Sequence, residues 1–265
     1  MQKFKNKTIW ITGASSGIGE ACAYRFAKDG ANLILTALEK DILEKVQEKC
    51  ISSGANCFVL DYDLSDLDGI PELCKKAVDK FGKIDVLFNN AGISQRGLVA
   101  ETKFEVDKKI MTINYFAPVL ITKHVLKSML ENGGGTIAVT TSIAGRFGFP
   151  LRSSYSASKH ALYGYFESLH AEYHKENIRV CFICPGRVKT NISFYALKQD
   201  GNQHSQMDKG QAKGISAEKA AKKIYNAVYK QKTEILVGSS ELLMVYLKRF
   251  FPKLSRKIVR NIKAT

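Results

Sequence analysis

From residue 7 onward the chain alternates short apolar runs with stretches of helical periodicity, and that rhythm restricts the fold more than any other feature. Residues 7–12, 32–36, 56–60, 86–89, 136–140, 179–183 and 234–237 read as strands. Residues 20–29, 41–53, 66–81, 103–130, 153–176 and 217–230 read as helices between them. Strands that alternate with helices join through right-handed crossovers into a parallel sheet covered on both faces. The expected fold class is therefore α/β, a doubly wound parallel sheet of seven strands in three αβα layers. At 265 residues and 45% hydrophobic content, one large domain over 1–240 accounts for the core, with 241–265 as an extension.

The first strand runs into Thr12-Gly13-Ala14-Ser15-Ser16-Gly17-Ile18-Gly19, and a helical pattern follows at once. Strand, glycine-rich turn and helix make a phosphate cradle: glycine lets backbone approach a pyrophosphate whose charge meets helix N-terminal N–H groups. The spacing Gly-x-x-x-Gly-x-Gly differs from the usual dinucleotide fingerprint, so its place after the first strand carries the argument. An ordinary turn is the other reading of these glycines.

Tyr155 and Lys159 stand four residues apart in a helical stretch and so share one face. A phenol titrates near pH ~10, and a neighbouring cation favours its ionised form. Taken alone, the spacing is also that of a packed ring beside a solvated amine. Residues 187–214 lack periodicity and follow the carboxyl end of a strand, where open α/β sheets bind ligands.

The net charge of +15 admits nucleic acid, an anionic membrane surface or an anionic cofactor. Residues 241–265 hold seven Lys or Arg and one Glu, so this tail carries +6 and the remaining 240 residues +9. No arginine–aromatic stripe or zinc-finger spacing supports nucleic acid. No apolar run approaches ~18 residues, and no signal peptide is read, so a soluble cytoplasmic protein is expected. Six cysteines are scattered through strands and helices and read as reduced thiols. Cys181 and Cys184 point to opposite faces of their strand, which argues against a shared metal or redox role.

Together these motifs resemble the short-chain dehydrogenases/reductases, with the match running over about residues 7–240. Thr12-Gly13-x-x-x-Gly17-x-Gly19 is similar to their cofactor motif, Asn89-Asn90-Ala91-Gly92 to their central-strand motif, and Tyr155-x-x-x-Lys159 to their catalytic signature. Ser142 precedes Tyr155 by the family's thirteen residues, and Pro185-Gly186 with Thr190 resembles the nicotinamide-side loop. The resemblance implies a Rossmann fold with strand order 3-2-1-4-5-6-7. It implies Asn114, Ser142, Tyr155 and Lys159 as catalytic residues. Tyr155 would be general acid in reduction and general base in oxidation, Lys159 would lower its pKa, and Ser142 would hold the substrate oxygen. Asn114 would interrupt the long helix and hold a water that links Lys159 to solvent.

For cofactor binding it implies Gly13, Ser15, Ser16, Gly17, Ile18, Gly19, Asp63, Leu64, Asn90, Ala91, Gly92, Tyr155, Lys159, Pro185, Gly186, Val188 and Thr190, with Asp63 at the adenine. No metal is implied. NAD-preferring relatives carry an acid where this chain has Ala37. NADP-preferring ones carry an arginine at the place of Leu38 and often a basic residue at Ser16. With no acid at 37 and Lys40 nearby, the reading favours NADP(H) over NAD(H).

Ser94, Phe147, Phe149, Phe194 and Tyr195 are candidate substrate contacts and suggest an apolar pocket. The motifs around Tyr155 and Tyr246 look similar to lipid-, retinoid- and steroid-handling reductases. Arg96, Arg146 and Arg152 either recognise an anionic group or are solvated at the surface. The tail alternates apolar and basic residues, so it reads as a basic amphipathic helix that lies on an anionic bilayer or packs on the substrate-side rim. Relatives are often dimers or tetramers through their two long helices, here 103–130 and 153–176. The leading function is an NAD(P)(H)-dependent oxidoreductase for a carbonyl or secondary alcohol; the alternative is a non-catalytic dinucleotide-binding scaffold or sensor.

Overall fold

The computed structural model describes residues 2–262. Seven parallel strands form one sheet: β1 Thr8–Thr12, β2 Asn32–Ala37, β3 Asn56–Asp61, β4 Val86–Asn89, β5 Gly135–Thr140, β6 Ile178–Pro185 and β7 Glu234–Val237. Their order across the sheet is β3-β2-β1-β4-β5-β6-β7, as expected from the resemblance. Trp10 at the centre stands in register with Ile34 on one side and Leu87 on the other.

Strand side chains alternate between two helical layers. Ile9, Ile11, Leu33 and Leu35 pack with Phe26, Leu43 and Ile224 of helices Gly17–Ala27, Lys40–Ser52 and Ala217–Tyr229. Trp10, Ile34, Leu87 and Ile137 pack with Leu73, Val125 and Phe166 of helices Ile70–Phe81, Ala117–Glu131 and Ser153–Tyr173. Both sets are almost entirely withdrawn from water, and each large side chain so buried contributes about 1.5–3 kcal/mol. Trp10 keeps its indole N–H satisfied by donating to Thr36 Oγ1 at 2.9 Å.

Several element ends differ from the sequence reading for local reasons. The third helix begins at Ile70 instead of 66, because the Asp66 carboxylate accepts from the N–H groups of Asp68 and Gly69 and Pro71 sets the first turn. Residues 103–130 do not form one helix. Phe104–Met111 and Ala117–Glu131 are joined by a π-helical turn, Thr112–Phe116, which carries Asn114. Segment 187–214 is more ordered than its sequence suggests: Leu197–Lys198 pairs with Gln95–Arg96, and Lys209–Ala212 forms a single turn.

The tail is two helices, Leu243–Phe250 and Pro252–Arg260, instead of one. Pro252 cannot continue the first helix and starts the second. Among the described residues no helix is long and apolar enough to cross a membrane. The six cysteines carry free thiols, five of them buried. Cys181 and Cys184 join hydrophobic clusters on opposite faces of the sheet, as their strand spacing requires.

Candidate active site

β2 lies on one side of β1 and β4 on the other, so a crevice opens beyond their carboxyl ends, the switch point where doubly wound sheets hold ligands. A cavity of about 680 Å³ runs along it, from Leu38 and Asp63 past Gly13 and Asn90 to Tyr155 and Pro185. Gly13 and Gly17 adopt φ of +65° and +61°. A Cβ at Gly13 would also stand 2.8 Å from the Cα of Ala91, so only glycine fits there. Gly19 does not line the cavity. It lies behind the cradle, where a side chain would run into the carbonyl of Gly13.

Ser16 caps the helix Gly17–Ala27 without a side-chain bond, which leaves the first backbone N–H groups facing the crevice for an anion. Asn90 locks the floor. Its amide donates to the carbonyls of Thr12 and Gly13, both at 3.1 Å, and its oxygen accepts from Thr140. An elongated crevice with a glycine cradle, an uncapped helix terminus and polar groups at both ends fits a dinucleotide. Ser15, Ser16, Ile18, Asp63, Leu64, Ala91, Gly92, Gly186, Val188 and Thr190 all line it. Leu38 and Glu39 line it as well, and the Ser15 hydroxyl donates to the Glu39 carboxylate at 3.1 Å. No sequence motif singles out Glu39. Lys40 is exposed beyond the lining.

At the other end, helix Ser153–Tyr173 presents Tyr155 and Lys159 on one face, with Lys159 Nζ 6.0 Å from the centre of the phenol ring. Lys159 is 2% exposed and donates to the carbonyl of Thr140 at 2.8 Å. Burial pushes its ammonium down to about 7. Burial likewise raises the phenol of Tyr155, and a hydrogen bond from Ser142 together with the nearby charges of Arg152 and Arg96 pulls against it. Ser142 ends the approach from β5 and caps a short turn by accepting from the N–H of Ala144 at 3.1 Å.

Asn114 reaches the site because the π-helical turn rotates it inward. Its oxygen accepts from the N–H of Ile93 at 2.8 Å, and its amide donates to Ile93 O at 2.9 Å and Ser158 Oγ at 3.1 Å. Asn114 and Lys159 flank Gly92 so closely that a Cβ there would meet both. All four candidate catalytic residues thus gather within one buried cluster around a single end of the crevice.

The substrate side departs from expectation. Ser94, Phe149 and Tyr195 line the cavity, whereas Phe147 is buried against Phe149 and Phe194 lies outside the lining. None of the three arginines is simply solvated. Arg146 stacks 3.6 Å over the Tyr163 ring and bonds Glu234 at 2.6 Å, away from the cavity. Arg96 and Arg152 both bind the buried carboxylate of Asp208, Arg152 at 2.8 Å. This triad lines the cavity beside Tyr155. It joins residues up to 112 apart in sequence, so no local pattern announces it. Met244, Ile258 and Ile262 of the tail line the same end, which the rim-packing reading of the tail anticipated without naming them.

The sequence model described as short chain dehydrogenase matches residues 7–200. The chain is 39% identical to dehydrogenase/reductase SDR family member 7B of Mus musculus over 97% of its length and 81% of that protein's. It is 37% identical to dehydrogenase/reductase SDR family protein 7-like of Drosophila melanogaster, covering 96% and 80%. Among solved structures, a short-chain dehydrogenase/reductase from Burkholderia phymatum in complex with NAD superimposes with a TM-score of 0.84 at 25% identity, covering 96% of each chain. A metagenomic short-chain oxidoreductase in complex with NADP gives a TM-score of 0.75 at 25% identity, covering 89% of this chain and 98% of that one. With the crevice, the cradle and the Tyr155–Lys159 face all built on this fold, the chain belongs to the short-chain dehydrogenase/reductase family and is a nicotinamide-dependent oxidoreductase.

Proposed function

We propose that the protein interconverts a carbonyl and a secondary alcohol on a fairly hydrophobic small molecule, with NADP(H) favoured over NAD(H). The observation that supports this most directly is the meeting of the Tyr155 phenol and the Ser142 hydroxyl at a cavity wall, beside buried Lys159. Two hydroxyls that converge on one point can both hydrogen-bond a substrate oxygen. Ser142 then stabilises the negative charge that develops there, and Tyr155 supplies the proton. A dinucleotide held along the crevice by the Gly13–Ile18 cradle would supply or accept the hydride.

Phe149, Ile192, Tyr195 and Met244 around that point favour an apolar substrate. For the cofactor, the preference for NADP(H) rests on the neutral side chain at Ala37, which leaves room for a 2′-phosphate at the end of β2; the Glu39 carboxylate opposes one only weakly, because it is exposed to water. Exposed Phe104 and Phe116 on the helices that follow β4 suit a homodimer or homotetramer. We place the protein in the cytoplasm, with its basic tail at a membrane surface.

The test is oxidation of NADPH and of NADH with a panel of carbonyls, run beside Tyr155→Phe. Turnover by the wild type and not by the variant is expected. Equal turnover by both would remove Tyr155 from the mechanism, and cofactor binding without turnover across the panel would favour a scaffold.

A further inference from the structure

The two C-terminal helices carry more apolar side chains than the body of the protein covers. One side of the pair is used: Met244, Val245 and Val259 pack on the cluster of Ile143 and Phe147. A second set is open to water. Leu243, Tyr246 and Phe250 follow one another at helical spacing on the first helix, Leu254 and Ile258 do so on the second, and Phe251 stands at the joint between them. Their exposures run from 38% to 69%. The two helices pack on each other, and exposed Phe250 runs directly into exposed Phe251 at their joint, which links the apolar set of one helix to that of the next.

Charge selects what covers that surface. From Leu242 to Ile262 there are six Lys or Arg and no Asp or Glu. A second copy that met it face to face would bring the two basic sets together, since a two-fold interface opposes like with like. An apolar face with aromatic residues and flanking cations instead matches the headgroup region of an anionic bilayer.

The same helices are part of the cavity. Ile258 is 38% exposed and still lines it, next to Met244 and Ile262. Glu241 fastens the start of the pair to the loop after β6, accepting from the N–H groups of Arg187 at 2.7 Å and Ser239 at 3.1 Å. The exposed apolar side chains and the substrate end of the crevice therefore share Ile258 and the same helix pair.

We propose that this helix pair seats the protein on an anionic membrane and opens the substrate end of the cavity toward the bilayer, so that a membrane-dissolved carbonyl or alcohol reaches Tyr155 along Ile258 and Ile262. The access route rests on the oxidoreductase reading; the seat does not.

The test is flotation of the full chain with phosphatidylcholine vesicles, with and without phosphatidylserine. It is paired with turnover of a short water-soluble carbonyl and of a long-chain carbonyl supplied in the vesicles. The wild type should float with the anionic vesicles and release at high salt. Phe250→Ser with Phe251→Ser, and separately Lys248→Gln with Arg249→Gln, should each lower partitioning about tenfold. Both should keep the soluble rate and lose the vesicle-borne rate by the same factor. Flotation that is absent in the wild type, or equal in the variants, overturns the seat. So does a dimer in the wild type that these substitutions dissolve without any vesicle binding. Equal use of the vesicle-borne substrate by variants that no longer float overturns the route. Failure of the soluble turnover strikes the oxidoreductase reading and the route with it, while flotation still decides the seat.

Discussion

Arg152, the N-cap residue just before the Tyr155 helix, donates to Asp208 at 2.8 Å and so ties the substrate-side segment to the catalytic helix. Asp208 also binds Arg96, and all three side chains are largely withdrawn from water. Asp208→Asn would remove the one carboxylate that both Arg96 and Arg152 bind, a loss of about 3–5 kcal/mol in a denaturant titration. Both arginines also favour the Tyr155 phenolate, and Asp208 screens them. In protein that still folds, the pH at which alcohol oxidation gains its base should therefore move to lower values. A pH profile of kcat/KM checks this, and a shift to higher pH would contradict the screening role.

Tyr155→Phe keeps the ring that packs at the cavity wall and deletes the proton donor. The expected loss in kcat/KM for carbonyl reduction is about 100- to 10,000-fold, the range for a general acid. Dinucleotide affinity, read by quenching of Trp10 or by calorimetry, should change little. Ser142→Ala should cost less, because it removes a hydrogen bond to the substrate oxygen and spares the proton.

How far the sequence carried the fold and the site depends on where each signal lay in the chain. Strand order and layers were legible because every strand is followed by a helix and because Trp10 and Ile34 alternate with Ile9 and Leu33. The four candidate catalytic residues were legible through motif spacing, and even the break at Asn114 was expected. The Arg96–Asp208–Arg152 triad was not, since it joins three segments with no periodicity between them. Phe147 and Phe149 show the same limit: two residues apart and alike in chemistry, one is buried while the other lines the cavity. Only the path of the loop decides which is which. The kink at Pro252 was visible as a proline, but its consequence, a helix pair that walls the cavity, depends on contacts with β6 and β7.

Glu39 is the acidic side chain of the crevice nearest the glycine cradle, held by Ser15 at 3.1 Å. A carboxylate there repels a 2′-phosphate and accepts from a 2′-hydroxyl. Glu39→Gln should raise NADPH affinity relative to NADH by roughly three- to tenfold, since an exposed pair interacts through water. Parallel titrations of the two cofactors check the ratio. An unchanged ratio would show that Glu39 points away from the ribose when the cofactor is bound.

Lys159 carries a pH dependence whose sign can be worked out. Burial pushes its folded-state pKa down to about 7, from the 10.5 of an exposed lysine. Between those values the unfolded chain holds more protons, so stability rises with pH across that window. Below about pH 7 the penalty is present in full, and it fades as pH climbs toward 10. Its upper bound is about 5 kcal/mol, from the size of the shift. Lys159→Met removes the charge and keeps most of the apolar stem. In cofactor-free protein the variant should be more stable than the wild type at pH 6, and the gap should close by pH 10. Thermal unfolding of both at several pH values measures it. A gap that stays constant with pH would mean that the bond to Thr140 and nearby water keep the ammonium charged in the fold, and hence available beside Tyr155 at neutral pH.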